Sequence, residues 1–415
     1  MIYIHFPFCK SFCTYCDFYS VKEREKMEQY TRSLLQEISL RKAFLRRCAA
    51  PSTLYVGGGT PSLWPVEQLE RVVAMLREAT GRGSHDGYGY DEFTVEVNPD
   101  DVTPGYAAAL RRLGVNRISM GVQSFSDRSL RWMNRRHNAE GAREACRVLR
   151  AAGFNNISMD LIFGYDPVPW GAAPSSEDGL IRLWRGDLEE MLRLRPEHIS
   201  AYQMGVEEGS VLGEMAAAGR YREPSDELCA SQYALLQQML ADAGYQQYEV
   251  SNFALPGRRA IHNSAYWSRQ PYIGLGPGAH SFDGDRRRSW NLPDVDRYIR
   301  AAHSSSRSFM SSVVSEEILT DEDVFTETIM LGLRTVDGLP LESVFQGSCS
   351  GSRTGSITSS DARARSGIRS TGDVRSTLDA IDRFLADGSL ILRDGRLCIP
   401  PDRLFISDSI IRGLL

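Results

Sequence analysis

Residues 1–16 of the chain read MIYIHFPFCKSFCTYC, a short apolar run followed at once by three closely spaced cysteines. The run mixes β-branched and aromatic residues and stops before Pro7, which predicts a β-strand. Cys9, Cys13 and Cys16 then lie within eight residues of one another, directly after the end of that strand. Three thiolates in such a position can converge on one inorganic centre.

Three cysteines leave one position of such a centre open. Zinc sites normally use four ligands, and a [4Fe–4S] cluster normally uses four thiolates. No fourth cysteine stands beside the three, and His5 lies inside the predicted strand. An open metal position accepts an exogenous ligand, which is how a metal site does chemistry. The competing interpretation is three unconnected core thiols, but free buried cysteines are usually scattered along a chain.

Outward from this segment, strand-like runs alternate with longer helical patterns as far as residue 250. The strand-like runs lie at residues 3–6, 53–56, 93–97, 117–120, 157–162 and 198–203. The helical patterns lie at about 25–47, 66–80, 104–113, 139–152, 178–193 and 225–243. This alternation predicts an α/β fold, namely a partial (β/α)6 TIM-like barrel of parallel strands over residues 1–250. A closed eightfold barrel also fits the length of the chain and stays the alternative.

The rest of the chain reads differently. We expect residues 251–309 to link the barrel to a smaller C-terminal α+β domain at residues 310–415. Within that domain, residues 347–372 hold eight Ser, five Gly and four Arg, which predicts a flexible insertion. Arginine–serine segments can also bind RNA, but such composition mostly marks linkers.

Composition and charge exclude several classes of protein. A hydrophobic content of 42% suits a packed core, so global disorder is excluded. The net charge of −5 argues against a nucleic-acid partner. No apolar run is long enough for a transmembrane helix, and the first residues do not resemble a signal peptide. We therefore expect a cytoplasmic protein that meets membranes only through a partner, with a mature organellar form left open.

Polar and flexible residues follow several of the predicted strands. The run Gly57-Gly58-Gly59-Thr60-Pro61 comes directly after the second strand, where a bare backbone permits close approach of a ligand, although a plain turn explains it equally. Four polar residues lie at or near other strand ends: Glu96, Gln123, Arg135 and Asp160. Barrels of this kind place their functional sites at the carboxyl ends of their strands. Carboxylates there can accept from hydroxyls or amines, and an arginine can pair with a carboxylate. Taken singly, each also fits an ordinary salt bridge.

The C-x3-C-x2-C spacing resembles that of the radical S-adenosylmethionine (SAM) superfamily. In that family three cysteines hold a [4Fe–4S] cluster, SAM binds the fourth iron, and an electron from the cluster cleaves SAM to a 5′-deoxyadenosyl radical. The partial barrel is the usual fold of the family. The resemblance implies that the cluster ligands are Cys9, Cys13 and Cys16. It implies SAM contacts from Tyr3, Gly58, Gly59, Thr60, Glu96, Gln123, Arg135 and Asp160.

Within that superfamily the chain looks like the HemW/HemN group, and the likeness runs from Tyr3 to Leu415. HemN-type proteins, the oxygen-independent coproporphyrinogen III oxidases, carry a fourth cysteine two residues after the third and a long N-terminal arm. Here Phe18 stands at that position, and the chain starts at the first predicted strand. HemW-type proteins, which are haem chaperones, carry the motif HNxxYW. Residues 262–267 read HNSAYW and match it.

The resemblance therefore implies a haem chaperone that binds a [4Fe–4S] cluster, SAM and haem, and transfers haem to an acceptor protein. A neutral imidazole is a usual axial haem ligand, so His262 is the expected ligand, with His280 as the alternative. The alternative function is an oxygen-independent coproporphyrinogen III oxidase of porphyrin biosynthesis, and a third is a radical SAM methyltransferase. Whether the chain is an enzyme, uses an electron donor or forms a homodimer stays open at this point.

Overall fold

The structure of the protein is a computed structural model. It describes residues 1–47, 52–81, 89–168, 171–302, 306–346 and 372–415. The chain divides into two compact units, unit 1 with residues 1–246, 251–262 and 270–317, and unit 2 with residues 247–250, 263–269 and 318–415. The flexible insertion predicted at residues 347–372 falls outside the described residues, apart from residue 372.

A nine-stranded sheet carries the first part of the chain. Its strands are β1 (Ile2–Phe6), β2 (Thr53–Gly58), β3 (Glu92–Val97), β4 (Arg117–Gln123), β5 (Ile157–Phe163), β6 (His198–Gln203), β7 (Gln246–Gln247), β8 (Asn252–Ala254) and β9 (Ile273–Leu275). Strands β1 to β6 stand side by side in chain order and run parallel. Strand β9 adds parallel to β1, and β8 adds antiparallel to β6. Six successive parallel strands confirm the predicted α/β fold class.

Helices connect these strands, as crossover connections require. They are α1 (Met27–Leu40), α2 (Lys42–Arg47), α3 (Val66–Thr80), α4 (Pro104–Leu113), α5 (Asp127–Trp132), α6 (Ala139–Ala151), α7 (Glu177–Leu194), α8 (Val211–Ala217) and α9 (Asp226–Asp242). Local sequence sets their ends. The side chains of Thr103, Asn138 and Ser176 accept from first-turn N–H groups of α4, α6 and α7. Gly81 ends α3 in the left-handed conformation that glycine adopts most easily.

The remaining elements are mostly shorter, apart from two long helices. They are α10 (Ile261–Trp267), β10 (His280–Phe282), β11 (Arg287–Asn291), α11 (Val295–Ala302), α12 (Ser306–Val313), β12 (Val314–Ile318), α13 (Asp321–Leu333), β13 (Leu339–Pro340), α14 (Ser343–Gln346), α15 (Gly372–Ala386), β14 (Ile391–Arg393), β15 (Arg396–Cys398) and α16 (Ser407–Arg412). Strands β10, β11 and β12 form one small sheet, and β13, β15 and β14 form another. The second sheet and its helices give the C-terminal part its predicted α+β character. None of the helices among the described residues is both long and apolar enough to cross a membrane.

The domain boundaries predicted from sequence stay a prediction. Most of the segment 251–309 belongs to unit 1, because β9 pairs with β1 and β8 pairs with β6. Residues 263–269 belong to unit 2, so that α10 begins in one unit and ends in the other.

A buried carboxylate ties α1 to the segment that follows β9. Glu37 is completely buried and accepts from Arg41 Nη1 at 3.1 Å, Asn291 Nδ2 at 2.8 Å and Tyr298 Oη at 2.7 Å. The backbone N–H of Gly276 also donates to it, at 2.9 Å. A buried charge is tolerated when it is paired and its lone pairs are all bonded, as they are here.

Glu37→Ala should lower the free energy of unfolding of the protein by about 3–5 kcal/mol, because it leaves the Arg41 charge buried without its partner. Urea denaturation followed by circular dichroism measures the loss. Glu28→Ala is the control, since Glu28 pairs with Arg32 and Arg71 on the surface and exposed ion pairs contribute little. Equal losses in the two variants would contradict the importance given to the buried network.

Candidate cofactor site

The cysteine loop follows β1 and is held in place by backbone hydrogen bonds. The N–H of Cys9 donates to the carbonyl of Val21 at 2.9 Å, and the N–H of Thr14 donates to the carbonyl of Met133 at 3.1 Å. Cys9 is buried, Cys13 and Cys16 are partly buried, and all three are free thiols. The loop is therefore fixed at Cys9 and at Thr14, directly after the carboxyl end of β1.

Neighbouring groups already interact with these thiols. The Thr60 hydroxyl donates to Cys9 Sγ at 3.4 Å, and Arg135 Nη1 donates to Cys13 Sγ at 3.2 Å. Burial raises the pKa of Cys9, and it raises that of Cys16 to about 11, with the nearby cysteines adding to both. A metal centre would displace those protons, since only thiolates ligate.

The three thiols fit an iron–sulfur cluster by their number and their chemistry, and Cys9 and Cys13 interact electrostatically with Cys16. Among the described residues, no three His, Cys, Asp or Glu side chains are arranged as a metal-binding group, so the thiols do not have the geometry of a cluster-bound state. The Arg135 guanidinium lies against Cys13, so a cation already stands beside the thiols that would hold the cluster.

The glycine run at the end of β2 packs closely against other strand ends. A Cβ on Gly57 would lie 2.8 Å from Glu96 Oε1, and one on Gly59 would lie 2.9 Å from the carbonyl oxygen of Phe8. Gly58 has φ +113°, and a Cβ there would lie 2.8 Å from the His5 ring. Backbone conformation at Gly58 and backbone packing at Gly59 therefore require glycine, whereas a Cβ at Gly57 would meet only the side chains of Glu96 and Tyr55. Ligand contact by this backbone stays a prediction.

Two partly buried carboxylates, Glu96 and Asp160, lie on neighbouring parts of strands β3 and β5 and interact electrostatically. Glu96 accepts from Tyr55 Oη at 2.8 Å and from the N–H of Gly58 at 3.2 Å. Burial raises the pKa of Glu96 to about 7, against the lowering effect of the Tyr55 hydrogen bond. Burial likewise raises the pKa of Asp160 to about 6, opposed by a hydrogen bond from Ser200. Both groups therefore ionise near neutral pH, and a cationic ligand would favour their charged forms.

Arg135 has a buried N–H group without a hydrogen-bond partner among the described residues. Its Nη2 donates to the carbonyl of Gly121 at 2.7 Å and its Nη1 to Cys13, but its buried Nε has no hydrogen-bond partner among the described residues. Gln123 ends β4 at φ +69°, where the register between β4 and β5 shifts. Such irregularities re-aim a side chain at a strand end. An orphaned guanidinium N–H beside thiols suits an anionic ligand group such as a carboxylate.

Tyrosines complete the site, and only one of them, Tyr3, was expected from the sequence. Tyr3 Oη is 3.1 Å from His5 Nδ1, and its ring centroid is 6.0 Å from that of Tyr55. Tyr55 was missed, although the alternation of β2 puts it on the same face as Gly57. Tyr15, inside the cysteine loop, was also missed. Burial raises its pKa well above the usual value, while Arg135 acts in the opposite sense.

His262 lies away from the cysteines. Its Nδ1 is 2.8 Å from Thr53 Oγ1, and its backbone N–H donates to Glu92 Oε1 at 3.0 Å. Thr53 and Glu92 begin β2 and β3, so His262 sits at the amino ends of these strands. Its side chain is 1% exposed, and burial lowers its pKa to about 3. His280 differs, since it is exposed and its ring stacks on Trp290 with centroids 5.8 Å apart.

Comparison with known proteins gives consistent findings. Residues 3–172 match the Radical SAM superfamily. The heme chaperone HemW of Lactococcus lactis is 34% identical over 341 residues, which cover 82% of this chain and 83% of that protein. The heme chaperone HemW of Mycobacterium tuberculosis is 30% identical over 421 residues, covering 100% of this chain and 94% of that protein. The solved structure of coproporphyrinogen III oxidase (HemN) from Escherichia coli matches with a TM-score of 0.76 at 20% identity, covering 100% of this chain and 89% of that one.

Glu96→Gln should remove a pH dependence of stability. The pKa of about 7 in the folded protein exceeds the ordinary 4.5, so the unfolded chain loses this proton first. The wild type therefore loses stability relative to Glu96→Gln as the pH rises from 4.5 to 7. Denaturation midpoints of both proteins at several pH values measure the difference. Glu67→Gln, at an exposed position of α3, controls for the loss of one carboxylate. A pH-independent difference between wild type and Glu96→Gln would contradict the assignment.

Proposed function

This chain belongs to the HemW family within the radical SAM superfamily, and on that premise we propose that it is a haem chaperone. It would bind a [4Fe–4S] cluster, SAM and haem, and deliver haem to an acceptor protein. Binding of the cluster and SAM is supported by one observation: three free thiols lie next to Arg135, whose Nε has no hydrogen-bond partner among the described residues. The likeness to HemN, at 20% identity, supports the fold and no second function.

The cluster and SAM would be held at the carboxyl edge of the sheet. Cys9, Cys13 and Cys16 would ligate the cluster, which supplies an electron and one open iron position. Arg135 would pair through its spare N–H with the SAM carboxylate, and the ionised forms of Glu96 and Asp160 would accept from amino or hydroxyl groups. The remaining contacts proposed for SAM come from Tyr3, Gly58, Gly59, Thr60 and Gln123.

Anaerobic reconstitution tests the cluster. The wild type should hold iron and sulfide in the stoichiometry of a [4Fe–4S] cluster, and Cys13→Ala should lose most of that iron, because two thiolates cannot hold the cube. Cys146→Ala is the matched control, since Cys146 is a free buried thiol within α6. Zinc or no metal in the wild type would remove the cofactor proposal, and so would equal loss of iron in the control.

Haem would bind beside the HNSAYW segment, which forms most of α10. Neutral imidazole is the form that ligates haem iron, and burial keeps His262 neutral. In the structure, however, the imidazole of His262 is hydrogen-bonded to Thr53 and is buried. To ligate haem iron, the imidazole must therefore move away from Thr53 in β2. Glu92 fixes the first turn of α10 through the N–H groups of Ile261 and His262, so the opening we propose lies in that turn.

Haem titrations followed by absorbance test this proposal. Thr53→Val should increase haem affinity several-fold, because the closed position of His262 loses a hydrogen bond of about 0.5–1.5 kcal/mol. His262→Gln should lower the affinity and change the Soret band. Ser158→Ala is the control, since it removes the equivalent bond to another buried histidine, His198, at 2.8 Å. An unchanged titration in His262→Gln would remove His262 as the ligand and favour His280.

The proposal also includes partners. Transfer needs a haem-acceptor protein, and reduction of the cluster needs an electron donor. A nucleic-acid partner is not expected at a net charge of −5. A homodimer, a cytoplasmic location and membrane contact through a partner stay predictions from the sequence.

A further inference from the structure

One side chain outside the set of candidate ligands contacts three members of it. The Tyr55 hydroxyl donates to Glu96 Oε1 at 2.8 Å, and its ring lies 6.0 Å from that of Tyr3. On its other side the Tyr55 ring lies 5.2 Å from the His262 ring. Tyr3 and Glu96 belong to the proposed SAM site, and His262 is the proposed haem ligand. A single buried ring therefore separates the two sites.

The contacts on either side of Tyr55 are mutually dependent. The Tyr55 ring is held in the sheet interior by its hydroxyl bond to Glu96, and it covers His262 while Thr53 Oγ1 holds the imidazole Nδ1. The other oxygen of Glu96 accepts from the N–H of Gly58, in the glycine run. A ligand that draws the carboxylate of Glu96 toward itself weakens the bond that fixes Tyr55, and the cover over His262 is then less firmly held.

We propose that Tyr55 is a positioning residue that couples the SAM site to the haem site, so that SAM bound at Glu96 favours release of His262 toward haem. This rests on the proposed function. Because binding equilibria are linked, haem must strengthen the binding of SAM by the same factor by which SAM strengthens the binding of haem. The coupling is specific to the Tyr55 hydroxyl, since the ring alone has no bond to Glu96.

The test compares affinities in full-length, anaerobically reconstituted protein. Haem affinity is measured with and without SAM, and SAM affinity with and without haem, for wild type and Tyr55→Phe. Wild-type haem affinity should rise by about fivefold or more when SAM is present, within the usual range of coupling between sites. In Tyr55→Phe both ligands should still bind, but the factor should fall to about one, and haem affinity without SAM should approach the SAM-loaded wild-type value.

A matched tyrosine controls for the loss of a buried hydroxyl. Tyr245 Oη donates to the carbonyl of Pro196 at 2.6 Å, and Pro196 is not one of the candidate residues, so Tyr245→Phe should keep the wild-type factor. Where Tyr55→Phe fails to fold by circular dichroism, Thr53→Val replaces it. That variant should raise haem affinity without SAM and shrink the effect of SAM.

The results of these titrations distinguish a failure of the coupling from a failure of the proposed function. Wild type that binds SAM and haem independently overturns the coupling and leaves the chaperone proposal standing. An undiminished factor in Tyr55→Phe, or in Thr53→Val where that variant is used, also overturns the coupling alone. Wild type that binds no haem overturns both proposals.

Discussion

Ionisable side chains inside the parallel sheet lose their contact with water, and the site depends on how the protein compensates for this loss. A carboxylate in such a place persists only when donors replace its water. Glu96 meets this condition through Tyr55 and Gly58, and Glu92 meets it through the first two N–H groups of α10. These bonds join segments far apart in the chain, so the site and the fold are stabilised by the same contacts.

Much of the fold follows from local patterns. The six predicted strands correspond to β1–β6 because each combines a strand-forming run with a polar or glycine end. Helices such as α3 and α4 also fall where the apolar periodicity puts them, because caps like Thr103 and Gly81 mark their ends. The two- and three-residue strands between residues 246 and 282, β7 to β10, were not foreseen, since such short strands carry too little pattern.

Some parts of the candidate site could likewise be predicted from the sequence, and others could not. Residues near the carboxyl ends of parallel strands share one edge of the sheet, so position alone places Glu96 and Gln123 at that edge, whereas Asp160 lies in the middle of β5. The surroundings of His262 were not, because its partner Thr53 lies 209 residues earlier in the chain. The glycine run also has a structural reason apart from ligand access, because the surroundings of Gly58 and Gly59 require glycine even without a cofactor. Contacts over long sequence separations decide what local patterns leave open.

The pairing of β1 with β9 also has a consequence during protein synthesis. Ile2 lies opposite Ile273, and the carboxylate of Glu37 takes its donors from Gly276, Asn291 and Tyr298. At about 5–20 residues per second, a ribosome needs roughly 15–50 s to make the intervening chain. For that interval the nascent chain carries an open sheet edge and an acidic group without its final partners. An unpaired sheet edge can form β-pairs with other chains. This protein therefore needs molecular chaperones most before its release from the ribosome.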